Sequence, residues 1–161
     1  MLKQRFKKST TPAFHFVSPL AGTLVPLTDI PDPVFSEKML GDGLAIEPSD
    51  GRVYAPCNGT VATLFPTGHA IGLVADSGHE LLIHFGMDTV TLDGQGFSAH
   101  VTQGEQVQAG QLLITVDMDT IRDQVPSLMT PVIFTNLDNQ SLTLHKTGPV
   151  SVGDTDILTL G

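Results

Sequence analysis

The chain is short of cysteine, of positive charge and of long apolar runs, and each shortage excludes something. A single cysteine, Cys57, rules out an internal disulfide and fits a reducing compartment. No apolar run reaches the roughly 18 residues that a transmembrane helix needs. The N-terminus is basic, but no apolar stretch follows it, so no secretory signal is visible. Together these absences lead to the expectation of a cytoplasmic protein. Lys and Arg number 8 against 17 Asp and Glu, a formal charge of -9, which argues against a nucleic-acid partner.

The few cations are unevenly placed. Lys3, Arg5, Lys7 and Lys8 lie in the N-terminal tail, so the rest of the chain holds the other four against every acidic residue. An acidic body attracts a partner with a basic face, or simply keeps the surface soluble. Residues 1–13 read as a flexible basic tail, too short and polar to fold alone. With Leu2 and Phe6 among its cations, that tail offers at most weak membrane contact with anionic lipid. The start at Met1 suggests a free-standing chain. Residues 14–161 form one domain of ordinary size.

What is plentiful is turn chemistry. Sixteen glycines and 11 prolines, with only 16% charged residues, point to a β-rich chain with frequent reversals. Short apolar runs are bounded by Gly, Pro, Asp, Asn or Ser: FHFVSPL, GTLVPL, RVYAP, GTVATLF, AIGLVA, ELLIHF, TVTL, HVTQG, QVQAG, QLLITVD, PVIFTN and DILTL. Helical turns are expected only near PVFSEKML (33–40) and MDTIRDQVPSL (118–128), the latter capped by Asp119 or Thr120 and limited by Pro126. The expected fold is all-β, an antiparallel β-sandwich or barrel-like architecture with short helical turns. Glycine-spaced phrases such as TQGEQVQAGQLLITVD are also found in biotin and lipoyl carrier domains. Neither Lys38 nor Lys146 has the setting of their modified lysine, so a swinging-arm carrier is discounted.

The chemistry gathers in HAIGLVADSGHELLIHF, residues 69–85. On the second run Glu80, Leu82 and His84 share one face, and Leu81, Ile83 and Phe85 the other. On the first, His69, Ile71 and Leu73 share a face. A hairpin loop with an even number of residues brings His69 and His84 together; an odd loop or a bulge separates them. Such a pair has three uses. It can be a satisfied structural element of the core. It can hold zinc, for which Asp88, Glu80 or Cys57 would have to supply a third protein ligand, none at a diagnostic spacing. Or it can carry a phosphoryl group, because a neutral imidazole is a good nucleophile toward phosphorus and a second can hydrogen-bond the phosphoryl oxygens. Apolar surroundings would keep the nucleophile uncharged.

The segments PDPVFSEKMLGDGLAIEP, APCNGTVATLFPTGHAIGL, ELLIHFGMDTVTLDGQGF and TPVIFTN together resemble enzyme IIA of the glucose class, from the bacterial phosphoenolpyruvate-dependent sugar phosphotransferase system. The likeness runs in order from about residue 17 to 160, nearly without gaps. The resemblance implies an antiparallel β-sandwich. It also implies a phosphotransferase component that takes a phosphoryl group from the histidine-containing phosphocarrier protein and passes it to a cysteine of the enzyme IIB domain of a sugar permease. By position, His84 matches the phosphorylated histidine, His69 the one that stabilises the phosphoryl group, and Thr67 the threonine that orients His69.

An apolar collar for both protein partners is implied at Val34, Phe35, Leu40, Phe65 and Leu82, with Asp32 and Asp88 as acidic groups that meet arginines of the phosphocarrier. Two positions depart from the common pattern: Leu82 stands where some members have phenylalanine, and Pro33 where a β-branched residue is frequent. Val34 and Phe65 could equally be plain core, and Asp88 a turn former. No cofactor is required, with adventitious or interface zinc at His69 and His84 the one metal left open. Two other readings remain: a phosphorylation-switched regulatory protein acting on permeases or metabolic enzymes, and a metallohydrolase. His15, His79, His100 and His145 read as surface histidines, and the glycines of GDG and LDGQGF as turn residues.

Overall fold

A computed structural model describes residues 11–161, so most of the basic tail, with the membrane contact expected of it, lies outside the described residues. Among the described residues, alternating apolar residues and frequent glycines produce thirteen short strands. They are β1 (Gly22–Pro26), β2 (Asp42–Pro48), β3 (Arg52–Tyr54), β4 (Gly59–Leu64), β5 (Ala70–Ala75), β6 (Glu80–His84), β7 (Phe97–Ala99), β8 (Gln106–Val107), β9 (Leu112–Val116), β10 (Thr130–Phe134), β11 (Leu142–Leu144), β12 (Gly148–Val150) and β13 (Leu158–Leu160). Two one-turn helices, α1 (Pro33–Ser36) and α2 (Met118–Ile121), interrupt them.

The strands form an antiparallel β-sandwich. One sheet has eight strands in the order β12-β1-β2-β10-β6-β5-β4-β8; a three-stranded sheet β3-β9-β7 and the pair β11-β13 complete the fold. The main core lies between layers. Leu24, Leu44, Ile46, Ile71, Leu73, Leu81, Ile83, Val132 and Phe134 from the large sheet meet Val53, Leu113, Ile114 and Val116 from the small one.

At its centre the large sheet is covered on both faces. Every residue of β10 is buried. Val132 and Phe134 face the main core, while Ile133 joins Leu27, Ile30, Phe35, Ala45 and Met87 in a second apolar cluster on the opposite face. That second cluster places α1 over the sheet. Asp32 starts the helix by accepting the Val34 N–H at 2.9 Å, and Pro33 occupies the first turn, where a missing N–H costs nothing.

Several sequence expectations are corrected. FHFVSPL is not in a sheet. It is a strap held by Val17 N–H to Pro56 O (2.9 Å) and Ser18 N–H to Asp154 O (2.9 Å), with the Phe14 and Phe16 rings on Phe134. TVTL is a 3-10 turn, Thr89–Leu92, bracketed by Asp88 and Asp93 in left-handed conformations that end strand geometry. HVTQG is a turn, and its strand comes just before, at β7. Strand β2, not expected, lies in the middle of the large sheet between β1 and β10. Its GDG resembles a turn, but Gly43 lies in the strand, where a Cβ would overlap the Val132 carbonyl. Strands β11 and β12 are too short to show a periodic signal. Asp117, not Asp119 or Thr120, caps α2. His79 is half-buried, not superficial; its ring lies on Phe14 (4.9 Å between centroids) and bonds Ser77 and Gln140.

Because Phe134 touches both the strap and the main core, Phe134→Ala is expected to cost about 3–5 kcal/mol of stability in urea denaturation.

Candidate active site

The hairpin of β5 and β6 delivers the two histidines by an unexpected route. Its register pairs Ala70 with His84 and Leu73 with Leu81. The loop is therefore the odd one, Asp76-Ser77-Gly78, closed by Ala75 N–H to His79 O and Gly78 N–H to Ala75 O, both 2.8 Å, with Gly78 at φ +95°. In a regular strand this register would send His69 to the core face with Ile71 and Leu73, away from His84. The strand does not extend that far. The turn Phe65–Gly68, closed by Gly68 N–H to Phe65 O (2.7 Å) with Gly68 at φ +73°, puts a bend at His69. The imidazoles of His69 and His84 stand edge to face, 5.0 Å between centroids.

Among the described residues, each ring has a hydrogen-bond partner at Nδ1 and none at Nε2. His84 Nδ1 lies 2.8 Å from the Gly86 carbonyl, which can only accept, so Nδ1 carries the proton. His69 Nδ1 is hydrogen-bonded to the Thr67 hydroxyl. His69 is 3% exposed, and burial holds its pKa down at about 4, helped by the neighbouring His84. Burial also lowers the pKa of His84, against the Gly86 carbonyl and the charges of Asp32 and Asp88, which favour its protonation. Both rings are neutral at neutral pH, and a neutral His84 protonated at Nδ1 has its lone pair on Nε2.

Around the pair lies apolar surface. The Phe35 ring sits 5.4 Å from His84 and the Phe65 ring 5.4 Å from His69. Val34 (40% exposed), Leu40 (43%) and Phe65 (37%) are open to solvent, which corrects the reading of Val34 and Phe65 as plain core. Phe35 is buried in the second cluster, and the half-buried Leu82 packs against it. Met39, next to Leu40, and Val90, in the 3-10 turn after Asp88, are exposed apolar residues that sequence reasoning did not single out. Nor did it single out Gly86, though its place two residues after His84 was visible. Asp32 is half-buried at the helix cap and Asp88 exposed beside the 3-10 turn.

Among the described residues no three His, Cys, Asp or Glu side chains converge as a metal set. Glu80 is at the far end of β6 from His84, and the burial of Cys57, with a smaller push from the charge of Asp76, raises its thiol to about 12. Neither can join the histidines. Among the described residues no helix is long and apolar enough to cross a membrane.

A family model described as phosphoenolpyruvate-dependent sugar phosphotransferase system, EIIA 1, matches residues 14–140. The structure of glucose permease IIA from Mycoplasma capricolum superposes with a TM-score of 0.85 at 44% identity, covering 89% of this chain and 94% of that one. Csd3 from Helicobacter pylori aligns at 13% identity and a TM-score of 0.41, over 83% of this chain and 37% of that one, too distant to bear on function.

The depressed histidines make stability fall in acid. The contribution of a neutral His69 is complete above its ordinary value of 6.5 and is lost as pH falls through about 4. Urea midpoints measured across that range should fall less for His69→Gln than for the unaltered chain.

Proposed function

The chain belongs to the EIIA 1 family of the phosphoenolpyruvate-dependent sugar phosphotransferase system, in its glucose class, and from that premise we propose that it is a phosphohistidine relay between two proteins. It takes a phosphoryl group from the histidine-containing phosphocarrier protein onto His84 and hands it to the enzyme IIB cysteine of a sugar permease. It does so in the cytoplasm and without a resident cofactor. The observation that carries this reading is the His84 ring. Its Nδ1 proton is held by the Gly86 carbonyl, its charge is suppressed by burial, and a second imidazole stands against it.

In the forward step the Nε2 lone pair of His84 attacks phosphorus, and the N–P bond of the donor phosphohistidine breaks, its electron pair returning to the donor imidazole. In the second step a cysteine thiolate of the IIB domain attacks the same phosphorus and His84 recovers its lone pair. His84 need not gain or lose its Nδ1 proton in either step. Positioning and charge stabilisation do most of the work. We assign the Thr67 hydroxyl as donor to His69 Nδ1, which leaves the His69 Nε2–H to hydrogen-bond a phosphoryl oxygen.

The collar has two tasks. Val34, Leu40, Phe65 and the half-buried Leu82 meet apolar surface on each partner and keep water from the labile N–P bond. Asp32 and Asp88 sit close enough to bear on His84 and would pair with cations of the phosphocarrier, speeding encounter and setting register.

Intact mass after incubation with phosphoenolpyruvate, enzyme I and the phosphocarrier protein tests the reading. One acid-labile phosphoryl group is expected on the unaltered chain and none on His84→Gln. His69→Gln should still accept the group but pass it on poorly. An unmodified wild-type chain would defeat the relay.

A further inference from the structure

The Gly86 carbonyl sits in a loop that two other residues hold from behind. Beyond the pairing of Val132 with Ile83, the next residue of β10 is Pro131, which has no N–H to give, and the β6–β10 ladder ends. The chain then leaves the sheet through Gly86 at φ +75°, where a Cβ would meet Thr89 Cγ2 and the Ser127 carbonyl. The Phe85–Gly86 peptide unit is gripped at both ends. Its carbonyl accepts the Thr89 hydroxyl at 2.7 Å, and its N–H donates to the Thr130 hydroxyl oxygen at 3.3 Å. Thr130 in turn donates its own proton to the Leu128 carbonyl at 2.9 Å, so its oxygen presents a lone pair to Gly86. The next peptide unit is held as well, with Met87 N–H on the Ser127 carbonyl at 2.9 Å. The remaining group of the two units, the Gly86 carbonyl, is aimed at His84 Nδ1.

Thr89 and Thr130 are fully buried, and few polar side chains are buried among the described residues. Threonine at such sites demands a reason, since valine would fill the same space without a hydroxyl to satisfy. The Thr89 and Thr130 hydroxyls serve the Phe85–Gly86 peptide and its immediate neighbours.

We propose that Thr130 and Thr89 are positioning residues for the acceptor histidine: they clamp the Phe85–Gly86 peptide so that the Gly86 carbonyl keeps the proton on His84 Nδ1 and the lone pair on Nε2. Neither touches the phosphoryl group. Releasing the clamp lets the peptide rotate, and the imidazole then divides between its two tautomers, only one of which presents Nε2 as a nucleophile. The inference rests on His84 being the phosphoryl acceptor.

The test reads the tautomer directly. Long-range ¹H–¹⁵N correlation spectra of the full chain, without partners, report which ring nitrogen of His84 carries the proton, and thermal melts record folding in parallel. The unaltered chain is expected to be almost wholly Nδ1–H. Thr130→Val should show a mixed population and a phosphoryl uptake rate lower by about tenfold, the equivalent of losing about 1.4 kcal/mol of hydrogen bonding. Thr130→Ser, which keeps the hydroxyl, should restore both the tautomer and the rate. Should Thr130→Val fail to fold, Thr89→Val releases the same peptide from its other end and carries the same expectation. A folded valine variant with an unchanged tautomer and rate would overturn the proposal. Loss of stability without change in the tautomer would also overturn it, reducing these residues to packing. A wild-type chain that never takes phosphate would defeat the relay reading and with it the acceptor role, while the tautomer, measured without transfer, would still show whether the two threonines hold the His84 proton on Nδ1.

Discussion

The double-sided burial of β10 is the constraint on which the site depends. A sheet covered on one face can leave its other face polar, but Ile133 points away from the main core and needs cover of its own. Phe35, Leu27 and Ile30 supply it from α1 and the turn before it. That local apolar layer makes the outer face of β6, the face of Leu82 and His84, a low-dielectric place. The rim of the same layer is the exposed collar of Val34, Leu40 and Phe65. One packing requirement thus yields both the environment of His84 and the exposed apolar surface around it.

The electrostatics follow from that environment. Burial disfavours the charged form of both imidazoles, while Asp32 and Asp88 favour protonation of His84. Burial wins at both rings, and the difference between them matters. His69 is nearly sealed and is pushed furthest. His84 is tempered by the Gly86 carbonyl and two carboxylates, so it stays neutral without being walled off. The nucleophile proposed at His84 has to be uncharged and reachable, and the donor proposed at His69 only uncharged and fixed.

The histidine pair shows where reasoning from alternation succeeds for the wrong local reason. Even-loop hairpin geometry places His69 opposite His84; the real loop has three residues and the ladder puts Ala70 there instead. The pair survives because Pro66 and Gly68 end the regular strand and bend the chain at His69. Period-two alternation describes residues inside a ladder and says nothing of one standing just beyond its end. Similar blindness hid β2, whose glycines look like turn residues until the neighbouring backbone of β10 comes within reach of Gly43.

By itself the sequence determined the class of fold, through short apolar runs divided by glycine and proline, and the candidate site residues, through motifs around Thr67, His69 and His84. Those are properties of local order along the chain, and local order is what a sequence displays. The tertiary structure alone decided which residues stand behind those side chains. That the Gly86 carbonyl faces His84, that Thr130 accepts the Gly86 N–H from a strand far along the chain, and that Val34 and Phe65 are surface when they could have been core all depend on strands distant in sequence packing side by side. Hydrogen-bond direction and burial are set by neighbours in space, and no periodicity along the chain encodes them.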